Sequence, residues 1–321
     1  MAKAEFAILG AGALGSIVGA HLANAGHDVV LLARGRRAEQ IAANGLAVEG
    51  LVTLHARVPV LADPRQLGGA ETLIVATKAI STAASLEPLR HADIGSALSI
   101  QNGLLKNELL GDAFGRERVL GALANFSGEL LPSGKVLFTR NNGLTVGELD
   151  GAVSDRVRRI VDVLEQSGVR ANASDDIVAA EWTKFAAWVG LMALSVTTRL
   201  NTWEYLCHPG AARVLVRLVR EVGQLAAARG VKLVGAPVFP IPQLCEVAEE
   251  QAVEIVVAVG RNFQVNAPTH RVSALQDVEA GRPLELEETL GHAVGMARQL
   301  GVPTPLLENF YGLLGVIADA R

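Results

Sequence analysis

The sequence has few of the features that mark secreted, membrane-spanning or nucleic-acid-binding proteins. It contains two cysteines, Cys207 and Cys245, which are too few for a disulfide framework and suit a reducing compartment. The net charge of −4 gives no electrostatic reason to expect nucleic acid or an anionic membrane as a partner. The most apolar stretch, residues 185–196, is too short to cross about 30 Å of hydrocarbon, and the first residues show no signal-peptide pattern. We therefore expect a cytoplasmic protein.

The sequence does contain enough apolar side chains for a large core. Of its 321 residues, 50% are apolar and 19% are charged, proportions that exclude a disordered chain. Domains run to about 100–200 residues, so this length predicts one large domain or two medium ones. We divide the chain into residues 1–175 and residues 176–321.

The first part alternates short apolar runs with helical patterns. Short, β-branched runs flanked by turn residues favour buried strands over helices. The runs are Ala4–Leu9, Asp28–Ala33, Thr72–Ala76, Ala97–Ile100 and Val119–Leu123. Helical patterns include Ala13–Ala25 and Ala38–Asn44, and Gly26 is placed to cap the first of them. This alternation predicts a mostly parallel sheet, and we assign residues 1–175 to an α/β fold, a Rossmann-type dinucleotide-binding domain.

The rest of the chain shows two other patterns. Val136–Arg140 and Leu144–Glu148 are separated by Asn141-Asn142-Gly143, which is typical of a hairpin turn. After Asp175 the strand pattern ends, and long stretches with helical periodicity follow. These are Ile177–Arg199, Ala211–Arg229, Pro242–Val259 and Leu284–Leu300, with breaks at His208-Pro209-Gly210 and Gly235-Ala236-Pro237. Residues 176–321 are therefore predicted to form an all-helical C-terminal domain.

A glycine motif points to a nucleotide. Gly10-Ala11-Gly12-Ala13-Leu14-Gly15 fits G-x-G-x-x-G, follows the first predicted strand and opens the first predicted helix. Gly10 permits the tight turn, Gly12 lets a pyrophosphate approach the backbone, and Gly15 lets the helix pack against the sheet. The helix N-terminus at Ala13 and Leu14 offers free N–H groups to the phosphates. The alternative, a strand–helix turn that binds nothing, fits the same residues.

The end of the second predicted strand bears on the choice of cofactor. Dinucleotide folds that bind NAD usually place an acidic residue there, which accepts from the ribose 2′-OH. Here the strand ends in Arg34, followed by Arg36 and Arg37. A guanidinium attracts a 2′-phosphate through charge-assisted hydrogen bonds, so NADP(H) is favoured over NAD(H). The alternative is a solvated basic loop, and this alternative is sufficient to explain Arg36 and Arg37.

Further short motifs occur in order along the chain. Thr77-Lys78-Ala79 and Gln101-Asn102-Gly103 each follow a predicted strand, and Glu181-Trp182-Thr183-Lys184 opens a long apolar helix. Ser273-Ala274-Leu275-Gln276-Asp277 is followed by Gly281-Arg282-Pro283-Leu284-Glu285. Together with the glycine motif and the Arg34 segment, these motifs make the sequence resemble the ketopantoate reductase family over essentially the whole chain.

This resemblance implies a fold, a reaction and a set of site residues. The family joins a Rossmann domain to a helical domain and reduces the 2-keto acid ketopantoate to pantoate with NADPH, in the pathway to pantothenate and coenzyme A. By resemblance, Lys184 is the catalytic lysine and Glu285 its carboxylate partner, with Glu287 as the second candidate. Asn102 would lie near the nicotinamide and the substrate. Ser273 would bind the substrate, and Lys78 would line the cofactor site.

The chemistry of ketone reduction suits these residue types. Negative charge develops on the ketone oxygen, and a protonated lysine supplies positive charge and a proton. The apolar neighbours of Lys184 favour the neutral amine, and a nearby carboxylate would oppose that effect. Each residue also has a structural explanation: a lysine at a helix end reaching water, a solvated acid at Glu285, an Asn-Gly turn at Asn102 and a helix cap at Ser273.

Two positions depart from the family pattern. The family's lysine helix usually carries asparagines four and eight residues after the lysine, and these help to hold the substrate. Here those positions are Trp188 and Met192. Four helical residues make about 400° of rotation, so both positions lie near the face of Lys184. The loss of two amides predicts a more apolar 2-keto acid or a related carbonyl compound as substrate.

Three functions remain open at this point. They are a ketopantoate reductase, a related reductase with a more apolar substrate, and an NADP(H)-binding sensor without catalysis. Lys184 in an apolar helix argues against the sensor, which needs no proton donor. The apolar helical domain allows for a homodimer, and the spacing of Cys and His residues predicts no metal site.

Overall fold

The computed structural model describes residues 3–236 and 238–320, and the chain divides into two compact units. Unit 1 comprises Met1–Asn102 and Lys106–Ile177, and unit 2 comprises Gly103–Leu105 and Val178–Arg321. Pro237, which the sequence places in a break between two helices, lies outside the described residues.

Unit 1 is built on one ten-stranded sheet. Its strands are β1 (Ala4–Leu9), β2 (Val29–Leu32), β3 (Leu46–Gly50), β4 (Leu54–Ala56), β5 (Val60–Leu61), β6 (Gly69–Val75), β7 (Asp93–Ser99), β8 (Val119–Leu130), β9 (Val136–Glu148) and β10 (Ala171–Ala173). Their order is β4-β3-β9-β8-β7-β6-β1-β2-β5, and β10 pairs with β9. The β3–β4 and β8–β9 pairs are antiparallel and the other pairs are parallel. The mostly parallel α/β sheet predicted from the sequence is confirmed.

Both faces of this sheet are buried. Phe6 and Ile8 of β1 pack in one apolar cluster, whereas Ala7 and Leu9 pack in another. Successive side chains of a strand point to opposite faces, so the two clusters lie on opposite sides of the sheet. The helices of this part of the chain are α1 (Ala13–Asn24), α2 (Gly35–Asn44), α3 (Thr82–Leu86), α4 (Leu105–Phe114) and α5 (Asp155–Gln166).

The predicted hairpin turn at Asn141-Asn142-Gly143 is wrong. These residues lie inside β9, which pairs with β8 on both sides of them, and the chain reverses at residues 131–135 instead. Ala124 pairs with Leu144 and Phe126 pairs with Asn141, so β9 has one residue more than β8 between these pairs. The sequence therefore forms a bulge. Gly143 adopts a φ of 107°, a conformation that glycine supplies in bulges as well as in hairpin turns.

Every element described in unit 2 is helical, as the sequence predicts. The helices are α6 (Ile177–Thr198), α7 (Thr202–Cys207), α8 (Pro209–Ala228), α9 (Ile241–Glu246), α10 (Glu249–Asn266), α11 (Ser273–Glu279), a π-helical turn (Glu287–Gly291), α12 (His292–Leu300) and α13 (Pro305–Asp319). One predicted helix is divided, and another begins three residues later than predicted, at Glu287. Pro242–Val259 is interrupted between α9 and α10, and Leu284–Leu300 contains the π-helical turn followed by α12.

Helix α6 is longer than the apolar stretch recognised in the sequence. It has 22 residues and a mean hydropathy of 1.3 over its most apolar window, so its length and composition would allow it to cross a membrane. The apolar stretch of residues 185–196 is thus part of a longer helix, and only the whole helix reaches the length of a membrane span. However, 67% of that window is buried inside the protein, which is typical of a core helix.

Candidate active site

The three glycines of the turn after β1 have different surroundings. A Cβ atom at Gly10, whose φ is 104°, would lie 2.7 Å from the backbone nitrogen of Thr77. A Cβ atom at Gly15 would overlap the carbonyl oxygen of Gly10. At Gly12, by contrast, a Cβ atom would meet nothing within 4 Å. Gly10 and Gly15 are thus required by packing, whereas Gly12 faces open space that a ligand could fill.

The N-terminus of α1 is suited to an anion. Its first intrahelical hydrogen bond runs from Ser16 N to Gly12 O over 3.0 Å, and no side chain caps the helix. The N–H groups of residues 12–15 therefore lack an acceptor within the helix, and the positive end of the helix dipole lies at the same place. Strand β1 also lies between β2 and β6, where the strand order reverses, which is the usual position of a ligand in such sheets.

Arg34 follows β2 and is the N-cap residue of α2. Its side chain is exposed and makes no hydrogen bond or ion pair with any residue in the ranges 3–236 and 238–320. It lies near Asp63, whose carboxyl pKa is lowered mainly by a hydrogen bond from Arg65 and to a smaller extent by the charge of Arg34. The guanidinium of Arg34 is therefore available to an anionic ligand.

A solvated basic loop is the alternative that the sequence allows for Arg37, but the structure gives this residue specific contacts. It is half-buried and donates from Nε to Ala11 O over 2.8 Å and from an Nη to Ser16 Oγ over 2.8 Å. A third donor reaches Gly134 O over 2.7 Å. Its spacing of three residues from Arg34, on the first turn of α2, is the only signal in the sequence that could have distinguished it.

The segments after β6 and β7, which carry Lys78 and Asn102, are joined by Gln101. Its side-chain amide nitrogen donates to Thr77 O over 2.9 Å and to Thr82 Oγ1 over 2.6 Å. Lys78 is exposed, and Asn102 is half-buried. Because β6 and β7 are parallel neighbours, both residues lie at the edge of the sheet that also carries the glycine turn.

Lys106 is buried next to the same edge of the sheet and binds the backbone there. Its side chain is 5% exposed, and its ammonium donates to Ser99 O and Gln101 O, each over 3.2 Å, and to Ala122 O. These carbonyls belong to β7, the residues after it, and β8. A cation placed on three backbone carbonyls fixes the position from which Asn102 projects. Lys106 could not be recognised from the sequence, because nothing in the pattern of α4 marks a buried lysine.

In unit 2, Lys184 is half-buried in the third turn of α6. The helix begins at Ile177, so Lys184 does not lie at a helix end. The alternative explanation, a lysine at a helix end reaching water, therefore does not apply. Glu181 is 6% exposed and precedes Lys184 by three residues, which places the two side chains on one face of the helix. Glu181 is therefore an additional candidate partner for Lys184, and its spacing from the lysine is the signal for it in the sequence.

The two acidic candidates near the π-helical turn have different environments. Glu285 is 9% exposed. The carboxylate of Glu287 accepts hydrogen bonds from the hydroxyl of Tyr311, at 2.8 Å and 2.7 Å to its two oxygens, and this raises the pKa of Tyr311. Burial, together with the charges of Glu285 and Glu287, raises the pKa of Glu288. Glu287 therefore has a partner on α13, which leaves Glu285 as the better candidate for Lys184.

The π-helical turn also contacts the residue that follows Asn102. A Cβ atom at Gly103, whose φ is 89°, would lie 3.0 Å from Cγ2 of Thr289 and 3.2 Å from the carbonyl oxygen of Glu288. The hydroxyl of Thr289 in turn donates to the carbonyl oxygen of Glu285. Gly103 is thus needed both for its left-handed backbone and for this close approach.

The substrate candidates of unit 2 lie on separate helices. Ser273 is the first residue of α11 and is exposed, and its side chain makes no cap hydrogen bond, so the structural explanation as a helix cap does not hold. Trp188 is half-buried and stacks on Phe185 with ring centroids 6.2 Å apart. Met192 is fully buried in the core of the unit. Trp188 and Ser273 therefore retain accessible surface. Met192 has none, so it could affect a substrate only indirectly, through the side chains that cover it.

Comparison with known proteins identifies the relatives of this chain. Residues 6–151 match the model of the ketopantoate reductase PanE/ApbA family, and residues 176–318 match its C-terminal model. A 2-dehydropantoate 2-reductase of Archaeoglobus fulgidus is 30% identical over 92% of this chain and 91% of its own length. A 2-dehydropantoate 2-reductase of Mesorhizobium japonicum is 26% identical, covering 99% of this chain and 98% of its own.

Solved structures agree with this assignment. A PanE/ApbA family ketopantoate reductase from Ralstonia eutropha superposes with a TM-score of 0.83 at 25% identity, covering 98% of each chain. The family models together span both the strand-rich part and the helical part of the sequence. The chain therefore belongs to the ketopantoate reductase family and is an oxidoreductase that uses a nicotinamide dinucleotide.

Proposed function

We propose that the protein catalyses the NADPH-dependent reduction of a 2-keto acid to the 2-hydroxy acid. The observation that carries this proposal is the exposed guanidinium of Arg34, free of ion pairs within the described residues, three positions before an arginine that is bonded to the glycine turn. A carboxylate at the position of Arg34 would repel a 2′-phosphate, whereas a guanidinium binds it in a bidentate fashion. This feature favours NADPH over NADH.

The residues of unit 1 would hold this cofactor. The N–H groups of residues 12–15 and the open side of Gly12 would receive the diphosphate. Arg34 would bind the 2′-phosphate, Lys78 would line the cofactor site, and Asn102 would lie near the nicotinamide. When bound, NADPH supplies the hydride that reduces the ketone carbon.

The residues of unit 2 would handle the proton. As the ketone carbon is reduced, its oxygen gains negative charge, and Lys184 would stabilise that charge and deliver a proton from Nζ. The carboxylate of Glu285 would keep Lys184 in its ammonium form against the effect of burial. Ser273 would hydrogen-bond to the substrate from the start of α11. The reaction balances, since one hydride and one proton are added to the carbonyl group.

The identity of the 2-keto acid depends on the side chains that follow Lys184 on α6. Ketopantoate is the substrate that the names of the relatives favour. By the resemblance to the family, its reduction would belong to the route to pantothenate. Trp188, stacked on Phe185, presents an aromatic surface where the family usually has an amide. This observation favours a second candidate, a 2-keto acid with a more apolar side chain.

The cofactor proposal is tested with Arg34→Ala, using Arg36→Ala as the matched control. Arg36 is an exposed neighbour that also makes no hydrogen bond or ion pair with the described residues. We expect Arg34→Ala to raise the dissociation constant of NADPH by about 10–100-fold, in line with the loss of a charged hydrogen-bond pair, and to leave that of NADH within about twofold. Isothermal titration calorimetry measures both. Equal losses for the two cofactors would contradict the assignment.

The substrate proposal is tested by measuring kcat/KM with NADPH for ketopantoate and for branched-chain and aromatic 2-keto acids. A clear preference for ketopantoate would reject the apolar candidate, and a preference for an aromatic or branched acid would support it. Trp188→Asn should then shift the preference toward ketopantoate, because an amide can bind its hydroxyl group. Stoichiometric binding of NADPH without turnover of any keto acid would reject both candidates.

A further inference from the structure

Arg37 connects four parts of unit 1. Its guanidinium donates to Ala11 O in the glycine turn, to Ser16 Oγ in α1 and to Gly134 O in the turn between β8 and β9. Arg37 itself is the third residue of α2. Ser16 is fully buried, and its hydroxyl donates to the same Ala11 oxygen over 3.1 Å. One side chain thus links the glycine turn to the helix that follows Arg34.

The contact with Ala11 O has a specific consequence for the turn. The carbonyl of Ala11 and the N–H of Gly12 belong to one planar trans peptide, in which these two groups point in opposite directions. Hydrogen bonds from Arg37 and Ser16 hold the oxygen on their own side. The N–H of Gly12 is therefore directed away from Arg37.

The shape of a guanidinium suits this role. Its five N–H groups form a rigid planar fork, and each of its three nitrogens donates to a different acceptor here. Burial lowers the pKa of Arg37 from its high ordinary value, but arginine stays charged at neutral pH. A half-buried charge held by three acceptors has little freedom to reorient.

We propose that Arg37 is a positioning residue for the dinucleotide, one that fixes the Ala11–Gly12 peptide with its N–H directed toward the diphosphate. The inference rests on the proposed function only in that a dinucleotide occupies the glycine turn. The diphosphate is common to NADPH and NADH, so Arg37 acts on both cofactors. Arg34, by contrast, acts on the 2′-phosphate that only NADPH carries.

A competing explanation makes Arg37 a second direct ligand of the 2′-phosphate. Three of its five N–H donors, one on each nitrogen, already bind Ala11, Ser16 and Gly134, which argues against this explanation. The two explanations also differ in outcome. A direct ligand affects NADPH alone, whereas a positioning residue weakens NADPH and NADH by similar factors.

The experiment measures dissociation constants of NADPH and NADH, by calorimetry, for Arg37→Met, Arg37→Lys and the control Arg36→Ala. We expect Arg37→Met to weaken both cofactors by about 10–30-fold, because a donor group loses its preorganised orientation. The ratio of the NADPH and NADH dissociation constants should stay within about threefold of the wild-type ratio. The value of kcat at saturating NADPH should stay within about twofold, since the same enzyme–NADPH complex forms once the cofactor is saturating. Arg37→Lys should recover only part of the loss, since an ammonium lacks the fork.

Binding of both cofactors within twofold of wild type in Arg37→Met would overturn the proposal, and so would a loss confined to NADPH. A wild-type protein that binds NADH as well as NADPH would reject the assignment of Arg34 but leave the role of Arg37 intact. A wild-type protein that binds neither would reject both.

Ser16→Ala provides a second route if Arg37→Met does not fold. The change removes one hydroxyl from a buried helical position and leaves the helix propensity high. We expect about threefold weaker binding of both cofactors, because Arg37 keeps two of its three acceptors. In the double variant with Arg37→Lys the losses should not add, since both changes act on one network. Additive losses, or no effect of Ser16→Ala on either cofactor, would count against the proposal.

Discussion

The candidate sites of the two units consist of different kinds of chemical group. In unit 1 the groups that would hold the cofactor are mostly backbone N–H groups, fixed by glycines, a helix end and the hydrogen bonds of Arg37. In unit 2 the candidates are side chains on α6, α11 and the segment before the π-helical turn. The first kind of site depends on local chain geometry, and the second depends on how distant segments pack. Substitutions should therefore affect the two units in different ways.

The largest effect is expected from Lys184→Met. Loss of the proton donor should lower kcat by about 10²–10⁴-fold, the usual range for general acid catalysis, while NADPH binding stays within about twofold. Methionine keeps the apolar stem of the side chain, so α6 should remain folded. Single-turnover kinetics with NADPH and calorimetry provide the two measurements. Lys232→Ala, an exposed lysine of the same unit, serves as the control. A loss confined to cofactor binding would remove Lys184 from the chemistry.

The next effect separates the acidic candidates of unit 2. Glu285→Gln should lower kcat/KM by about 10–100-fold, since Lys184 would lose the charge that keeps it protonated. Glu287→Gln should change it by less than about threefold, because Glu287 is engaged by Tyr311. Glu181→Gln completes the series. If the large loss follows Glu181→Gln instead, the role of carboxylate partner passes to that residue.

A smaller pair of effects distinguishes two glycines of unit 1. Gly12→Ala should leave the melting temperature nearly unchanged, since its Cβ atom meets open space, but weaken NADPH binding by about tenfold by occupying the place of the diphosphate. Gly15→Ala should destabilise the fold by about 1–3 kcal/mol, because its Cβ atom overlaps the carbonyl oxygen of Gly10. Thermal unfolding and calorimetry measure the two quantities. The opposite pattern would mean that the ligand lies elsewhere.

The smallest effect concerns the pH dependence of stability in unit 1. Burial lowers the pKa of His21 below 6.5, its Nδ1 lies 2.8 Å from Ser167 O, and its Nε2 has no partner among the described residues. As the pH falls, His21 is protonated at a higher pH in the unfolded chain than in the folded protein. The contribution of neutral His21 to stability is therefore present above pH 6.5 and is lost as the pH falls from 6.5 toward the lower pKa of the folded state.

Urea unfolding at pH 7.5 and 5.5, for wild type and His21→Gln, measures this contribution. Wild type should lose more stability between the two pH values than the variant does. Glu288 has a raised pKa and acts in the opposite direction, but it is present in both proteins and cancels in the difference. Identical pH profiles would show that His21 does not contribute.

The glycine motif illustrates what could be predicted for the fold. The spacing of Gly10, Gly12 and Gly15 after an apolar run predicted a strand, a turn and a helix, and the structure confirms β1 and α1 at that place. Asn141-Asn142-Gly143 illustrates the limit. The same residue types serve a hairpin turn and a bulge, and pairing with β8, which lies at another place in the sequence, decides between them.

For the candidate site, the limit lies in contacts between distant residues. Lys106 and Arg37 lie in ordinary helical patterns, and most of their acceptors are backbone carbonyls of other segments, which every residue possesses. No residue type therefore marks such a contact in the sequence. Glu285 and Glu287 are likewise equal by type, and only the hydroxyl of Tyr311 on α13 distinguishes them.

By itself, the sequence determined the class of fold, the place of the glycine turn and the basic residue after β2. These follow from short-range rules, namely strand and helix periodicity, the sterics of glycine and the sign of one charge. Tertiary structure decided which arginine holds the turn, which lysine is buried and which glutamate is engaged elsewhere. These depend on hydrogen-bond partners that are remote in sequence, and only the folded chain brings such partners to within about 3 Å of each other.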